Sequence, residues 1–209
     1  PDFSDLVLPR TSLNGKVDTS TFNLVGKLSA RLNSRLSFTA RAKLDERDNK
    51  TPVETYTPVI TDLIVRNDRI NRPYSYERQQ YSAVLRFRAN RNLRLSGGAR
   101  QKNMDRTLEA VESTEETTWW GEARVTAGYS SQLRFKLESS DRSNSDYNSL
   151  DDGGPVDHPL MRKFYMADRD RKRALIELDF APLEAFGINL SYAHANSDYK
   201  ESALGLQES

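Results

Sequence analysis

Two groups of residues in this 209-residue sequence could do chemistry: acids and histidines in connecting segments, and cations spaced two residues apart. His158 and His194 are the only histidines, and their separation argues against a shared metal site. Four acids in one segment could hold Ca²⁺, but their spacing does not fit an EF-hand loop, and acids in turns are usually solvated. They are Asp146, Asp151, Asp152 and Asp157. The sequence therefore predicts no metal bound by this chain and leaves Ca²⁺ in the loops open.

Catalytic chemistry finds no support in the residue pattern. No Ser, His and Asp occur in an order with local support for a triad, and no glycine-rich segment matches a phosphate-binding loop. Cysteine is absent, which excludes disulfides, thiolate metal sites and covalent haem attachment within these residues. We therefore expect a protein that is not an enzyme and binds no cofactor itself.

The cations share one parity of the predicted strands. They are Lys27, Arg31, Arg41, Lys43, Arg86, Arg88, Arg94, Arg100, Arg124, Arg134 and Lys136. The acids on this parity are fewer: Glu122, Glu138, Glu177 and Asp179. The net charge of +1 is therefore the sum of two opposite distributions, basic side chains on one face of the strands and acidic side chains in the loops. Such a basic face would attract anions or complement an acidic body, although mixed charges that solvate a water-filled interior remain an alternative.

The elements that carry these cations alternate strictly between apolar and polar residues. From Phe22 to Leu32 and again from Leu36 to Leu44, apolar residues occupy every second position, as in strands with two different faces. The pattern recurs and predicts four hairpins, at about 17–45, 76–103, 117–141 and 173–199. Long outer loops are predicted at about 46–75, 104–116 and 142–172. Each arm has roughly the 9 to 11 residues that a tilted strand needs to cross a bilayer.

Three features favour a membrane wall over a soluble sheet. Hydrophobic residues make up only 36% and charged residues 29%, which is too polar for a large core but suits strands with one apolar face. The apolar parity carries no charge in the predicted strands, and tight turns alternate with long loops. The sequence therefore predicts an all-β, transmembrane, antiparallel up-and-down β-barrel, of which residues 1–209 form one segment of about eight strands. A soluble all-β binding module remains the alternative, because its core would show the same period.

Aromatic residues near the long loops predict an interfacial girdle. They are Trp119, Trp120, Tyr74, Tyr76 and Tyr81. Aromatics and arginines such as Tyr81 and Phe87 beside Arg86 and Arg88 lie on opposite parities, which argues against a nucleic-acid partner. The chain begins at Pro1 without an initiator Met or a signal peptide, so we expect an internal or processed segment.

Four ordered segments resemble the MtrB/PioB family of outer-membrane β-barrels that associate with decahaem c-type cytochromes. They are LDERDNKT at 44–51, RNDRINRPYSYERQQ at 66–80, EETTWWGEARV at 115–125 and LMRKFYMADRDRKR at 160–173. The resemblance covers about Leu8 to Ser209. It implies a large barrel in the bacterial outer membrane that sheaths a periplasmic decahaem cytochrome. That cytochrome would meet an outer-surface multihaem cytochrome and pass electrons across the membrane, with haem c carried by the partner.

The resemblance implies no catalytic residues. Its matched loop positions are expected to pack the loops against the barrel or the cytochrome, and they are Asn71, Arg72, Pro73, Tyr74, Arg162, Lys163, Asp168 and Arg169. Members of the electron-export branch carry a Cys pair near the mature N-terminus. Either that region lies outside this segment or this member lies outside that branch. A porin-like channel for anions or small solutes remains the first alternative function, because basic residues in a lumen would select anions.

Overall fold

The computed structural model describes residues 17–56, 59–60, 63–64, 69–128, 131–148, 162–183 and 186–200. Its strands, in chain order, are β1 (Thr19–Arg31), β2 (Leu36–Asn49), β3 (Thr55–Tyr56), β4 (Val59–Ile60), β5 (Leu63–Ile64), β6 (Arg69–Ile70), β7 (Tyr76–Arg88), β8 (Leu93–Arg106), β9 (Ser113–Ala127), β10 (Ser131–Asn144), β11 (Arg169–Leu183) and β12 (Phe186–Tyr199). Among these residues, no helix is long and apolar enough to span a membrane.

The eight long strands form one antiparallel sheet in the order β1-β2-β7-β8-β9-β10-β11-β12. Each of these long strands pairs with the next long strand along the chain, so the predicted all-β, up-and-down antiparallel fold is confirmed. The short strands pair separately, β3 with β6 and β4 with β5, within the connection between β2 and β7. β1 and β12 are the two edges of the sheet, which is therefore an open section of wall.

Two of the tight turns are closed by the same interaction, an asparagine side chain that accepts two backbone hydrogen bonds. The side-chain oxygen of Asn33 accepts hydrogen bonds from the backbone N–H groups of Arg35 and Leu36, at 2.8 and 2.9 Å. Asn90 accepts in the same way from the second and third residues after it, both at 2.8 Å. Asn forms such turns because its short side chain reaches the backbone two residues on. The β9–β10 turn uses Gly128 with a φ of +65° instead, and the turn between β11 and β12 lies partly outside the described residues.

No second layer of described residues covers the apolar face of the sheet. Leu28 is 63% exposed, Leu190 59% and Phe22 50%. Among the described residues, the buried hydrophobic side chains are Ala110, Val111, Met166 and Ala167, and all four lie in connections between strands. A soluble monomer rarely leaves so large an apolar face in water. The exposed face therefore favours lipid contact over the soluble alternative.

The strands extend beyond the apolar band at their long-loop ends. There the outward parity becomes acidic, so the expectation of no charge on this parity is wrong for the full strands. Two ladder rows carry three acids each: Glu46, Glu77 and Asp105 on β2, β7 and β8, and Asp141, Asp170 and Asp198 on β10, β11 and β12. Ladder pairing does not need to stop at the bilayer boundary, and side chains beyond it face water.

Candidate functional site

The other side of the sheet, here called the polar face, carries all the cations predicted for one parity. The ladder registers place Lys27 opposite Arg41, and Arg41 opposite Ser82, which in turn faces Arg100. The remaining predicted cations follow in neighbouring rows of the same parity. Further cations lie on this face beyond the apolar band. They were not predicted, although the same alternation, continued past the band, indicates them. They are Arg47, Arg78, Lys102, Arg106, Arg142, Arg171 and Arg173.

One ladder row beside the tight turns consists of arginines. Arg88 pairs with Arg94, Arg94 with Arg124, and Arg124 with Arg134. The backbone N–H of Arg88 donates to the carbonyl of Arg35 at 2.7 Å, which continues the row onto the end of the β1–β2 turn. We call these five residues the arginine row. Like charges directly opposite one another on a sheet repel, so such a row needs anions nearby.

Carboxylates supply those anions at one end of the row. Arg134 donates from Nη1 to Oε2 of Glu177 at 2.7 Å and from Nε to Oε2 of Glu122 at 3.0 Å. Arg124 donates from Nη2 to Oε1 of Glu122 at 3.1 Å. This network ties β9, β10 and β11 together across the polar face. At the other end, Arg35, Arg88 and Arg94 form no ion pair with a described carboxylate.

A groove of about 480 Å³ lies over that other end. Glu122 and Arg124 line it as an ion pair, and Arg31, Arg35, Arg86, Arg88 and Arg94 contribute further cationic side chains to its lining. All five are exposed, and Nη1 of Arg86 is oriented by a 3.2 Å hydrogen bond to the hydroxyl of Thr39. The groove therefore holds more cations than its one lining carboxylate, Glu122, can neutralise.

Trp119 and Trp120 lie on opposite faces, so their prediction as a joint girdle is wrong for Trp120. Successive strand residues point to opposite sides of a sheet. Trp119 is 65% exposed on the apolar face, as a girdle residue would be. Trp120 lies on the polar face over Gly98, with the Lys136 ammonium 5.4 Å from its ring centroid.

Tyr74 and Tyr76 also differ from the predicted girdle. Tyr76 occupies the polar parity, opposite Arg47, and the Arg78 guanidinium lies 5.6 Å from its ring centroid. Tyr74 precedes β7, with its ring centroid 5.9 Å from that of Tyr76. Tyr81, by contrast, is exposed on the apolar face, where a girdle residue belongs.

The connection before β11 is fastened to the long-loop end of the polar face. Arg142 is buried, and it donates from Nε to the carbonyl of Ala167 at 2.9 Å and from Nη2 to that of Phe164 at 2.6 Å. Met166 and Val111 are buried together there. Burial lowers the pKa of Arg142, and the neighbouring Arg169 lowers it further. Alternation places Arg142 on the polar face, but no local pattern in the sequence indicates these contacts, because its partners are backbone carbonyls.

The loop residues of the family-like segments form two groups. In the first, Arg162 lies over the Tyr147 ring at 4.3 Å, Lys163 offers its carbonyl to Met166 at 2.8 Å, and Asp168 accepts from Asn144 at 2.8 Å.

Arg169, which follows Asp168 in the first group, forms an ion pair with Glu116 at 3.5 Å. In the second group, Asn71 donates from Nδ2 to the carbonyl of Pro52 at 2.9 Å and links the two ends of the β2–β7 connection. Arg72 and Pro73 lie between this link and Tyr74. The structure thus places the first group beside the β10–β11 wall and the second in the connection that precedes β7.

The candidate metal ligands are not brought together where the structure describes them. No group of three or more His, Cys, Asp or Glu among the described residues could hold a metal ion. Asp146 and His194 are both exposed, in a connection and on the apolar face respectively. The predictions for Asp151, Asp152, Asp157 and His158 lie outside the described residues.

Comparisons with known proteins agree with this architecture. Residues 2–209 match the sequence profile of the family described as outer membrane beta-barrel porin, MtrB/PioB. The chain is 27% identical over 202 residues to the outer membrane protein MtrB of Shewanella baltica (strain OS185). The match covers 97% of this chain and 29% of that relative, so the chain spans less than a third of the relative's length. The predicted outer-membrane location is confirmed, and the chain belongs to the MtrB/PioB family of outer-membrane β-barrel proteins.

Proposed function

We propose that the polar face lines the lumen of a barrel that sheaths a multihaem c-type cytochrome and positions it for electron transfer across the outer membrane. The observation that carries this proposal is the unbalanced charge of β1, β2, β7 and β8. Within these four strands, all of which the structure describes, Asp45 is the one acid on the polar face. The cations there are Lys27, Arg31, Arg41, Lys43, Arg47, Arg78, Arg86, Arg88, Arg94, Arg100, Lys102 and Arg106.

The distribution of ion pairs distinguishes a sheath from a solvated interior with balanced charges. Such an interior would pair its cations across strands, as Arg134 does with Glu122 and Glu177 on β9 to β11. Within β1, β2, β7 and β8, by contrast, Asp45 lies 3.9 Å from Lys43 and 3.8 Å from Arg78, and these four strands carry no second acid on the polar face. A protein with surface carboxylates, held against this face, would supply the missing anions along these four strands.

A multihaem cytochrome fits this requirement chemically. Haem propionates and acidic side chains make such a protein locally anionic, and complementary charge would fix its position and register in the lumen. The strands would exclude lipid from the haem chain. In this proposal haem c belongs to the partner, the chain itself carries out no electron transfer, and a second multihaem cytochrome would receive or supply electrons at the outer surface.

The test is purification in detergent of the full-length protein that contains this chain. We expect a multihaem cytochrome to co-purify in a fixed ratio, detected by haem absorbance and by the mass of the associated chains. Its retention should fall as salt rises, because screening weakens contacts between exposed charges. A haem-free protein at every salt concentration would refute the sheath.

An anion-selective channel is the second candidate, and the word porin in the family description supports it. The same unbalanced cations would concentrate anions in an empty lumen. Reversal potentials of the full-length protein in a planar bilayer, under a salt gradient, separate the two proposals. Steady anion-selective conductance from protein that carries no cytochrome would favour the channel.

A further inference from the structure

We infer that the arginine row is a carboxylate-binding strip, and that Arg35, Arg88 and Arg94 engage carboxylates on the surface of the protein held in the lumen. The inference rests on the proposed function and deepens it, because it assigns one part of the polar face as the place of tightest contact. The strip lies beside the tight turns, at the opposite end of the sheet from the connection held by Arg142.

The register of the sheet makes the row distinct from the scattered cations elsewhere. Neighbouring strands lie about 4.8 Å apart, so five arginines in one row extend over roughly 19 Å. Arg88, Arg94, Arg124 and Arg134 are direct cross-strand neighbours. Repulsion along such a row lowers the stability of the sheet unless anions lie between the side chains.

The row itself shows which anion it takes. At its β10 end, Arg134 contacts two carboxylates through Nε, Nη1 and Nη2, at 2.7 to 3.0 Å. A guanidinium has a planar fork that matches the two oxygens of a carboxylate, unlike the compact ammonium of lysine. Arg35, Arg88 and Arg94 lie in the same row, but they form no ion pair with a described carboxylate. An external carboxylate would therefore continue a pattern that Glu122 and Glu177 begin.

The groove gives the external carboxylates access. Its 480 Å³ lie between the β1–β2 turn and the row, and Asn33, Ser34 and Ser37 contribute polar groups to its lining. Arg31 and Arg86 add two cations next to the row. A small free anion would contact only one or two of these side chains, whereas several carboxylates on one rigid surface could engage the whole length. We therefore assign the occupant as a protein surface.

The test compares three forms of the full-length protein in detergent. The first is unaltered, the second is Arg88→Gln/Arg94→Gln, and the third is Arg41→Gln/Arg100→Gln. The third form removes the same charge from the same face, nearer the long loops. Heat-dependent mobility on a denaturing gel checks that all three are folded. The probe is a hexaglutamate peptide, whose affinity is measured by calorimetry at low salt.

We expect the second form to bind hexaglutamate at least tenfold more weakly than unaltered protein, and the third at most threefold more weakly. Equal weakening in both variants would overturn the inference and leave only a general basic lumen. Citrate and inorganic phosphate are titrated in parallel. If either binds as tightly as the peptide, the strip is a free-anion site and the assignment to a protein surface is overturned.

Co-purification separates this inference from the proposed function. If unaltered protein retains a cytochrome and the second form loses it at lower salt than the third, both stand. If all three forms retain it to the same salt concentration, the strip is overturned and the sheath stands. If no form retains a cytochrome but the peptide result holds, the sheath fails and the strip stands as a carboxylate site.

Discussion

The buried guanidinium of Arg142 donates a hydrogen bond of 2.9 Å from Nε to the backbone carbonyl of Ala167. Together with the bond from Nη2 to Phe164, it fastens the connection before β11 to the wall. Arg142 lies on the polar parity of β10, in the row of Glu116 and Arg169. The connection is therefore held over the polar face at the long-loop end of the sheet, where Phe164 and Tyr165 remain exposed.

Replacing Arg142 with Gln should release this connection without unfolding the sheet. Two charged hydrogen bonds are lost and two carbonyls lose their partners, which we expect to cost about 2 kcal/mol locally. Amide hydrogen exchange at Met166 and Ala167 should then accelerate roughly 30-fold, since each 1.4 kcal/mol is a factor of ten. Lys172→Gln, which removes an exposed charge from β11, is the control. Unchanged exchange in Arg142→Gln would show that packing of Met166 alone holds the connection.

Gly98 is predicted to be intolerant of any side chain. A Cβ there would clash with the carbonyl oxygen of Ala83 and would lie 3.1 Å from two atoms of the Trp120 ring. Gly98→Ala should therefore lower the free energy of unfolding by about 1 to 3 kcal/mol, as overpacking does elsewhere. Gly121→Ala is the matched control on the next strand, because a Cβ there meets nothing within 4 Å. Urea titration of the folded fraction compares the two, and equal midpoints would contradict the structure.

The assignment of faces can be tested with two adjacent residues of β1. Leu28 lies near the middle of the apolar run, and Ser29 is the next residue, on the polar face opposite Thr39. Leu28→Arg should destabilise the folded protein in lipid by about 2 to 4 kcal/mol, the cost of arginine near the bilayer midplane. Ser29→Arg should change stability by less than about 1 kcal/mol, because it adds a cation to an aqueous surface. Equal losses would contradict the assignment of Leu28 and Ser29 to two different environments.

Much of the wall could be predicted from sequence because alternation is a local property. Leu28 beside Ser29, and Asn33 at a break in the pattern, report face and turn without any knowledge of partners. The same rule separates Trp119 from Trp120, although their shared position near a loop suggested one role. The local pattern therefore predicts where strands and turns lie and which face of each strand is polar.

The arginine row and the Arg142 contacts could not be predicted in this way. Whether Arg88 faces Arg94 depends on the register set by the turn at Asn90, and whether Arg94 faces Arg124 depends on a long connection. Arg142 donates to backbone carbonyls, and because every residue has a carbonyl, the sequence does not indicate which one it contacts. Register and loop docking are long-range properties, so the site could be predicted only as a basic face.

The acidic row at the long-loop end provides a test by pH. Asp141 and Asp170 face each other on β10 and β11, beyond the apolar band, and Lys200 lies 2.8 Å from Asp170 and 3.6 Å from Asp141. A hydrogen bond with Asp170 raises the pKa of Asp141, and the same bond, with that from Lys200, lowers the pKa of Asp170. Below its raised pKa, Asp141 is therefore the protonated partner and shares its proton with the Asp170 carboxylate through this hydrogen bond.

The sign of the resulting pH dependence differs between the two acids. Asp141 has a raised pKa, so its stabilising contribution is full below the usual value of 3.8 and is lost as pH rises through the raised pKa. Asp170 has a lowered pKa, so its contribution is present above 3.8 and is lost as pH falls through the lowered value. The pair therefore favours the folded state most near the ordinary aspartate value of 3.8, between the lowered pKa of Asp170 and the raised pKa of Asp141.

Asp170→Asn should return the titration of Asp141 to that of an ordinary aspartate, because the carboxylate that accepts its proton is gone. It should also lower the pKa of Lys200, which Asp170 raises through its hydrogen bond. Infrared spectra of protein labelled with ¹³C-aspartate follow the protonated carboxyl band as pH is raised. Unaltered protein should keep one band to a higher pH than Asp170→Asn does. Asp198→Asn, which removes the third acid of the same row, should keep that band, and its loss there would assign the shared proton to a different pair.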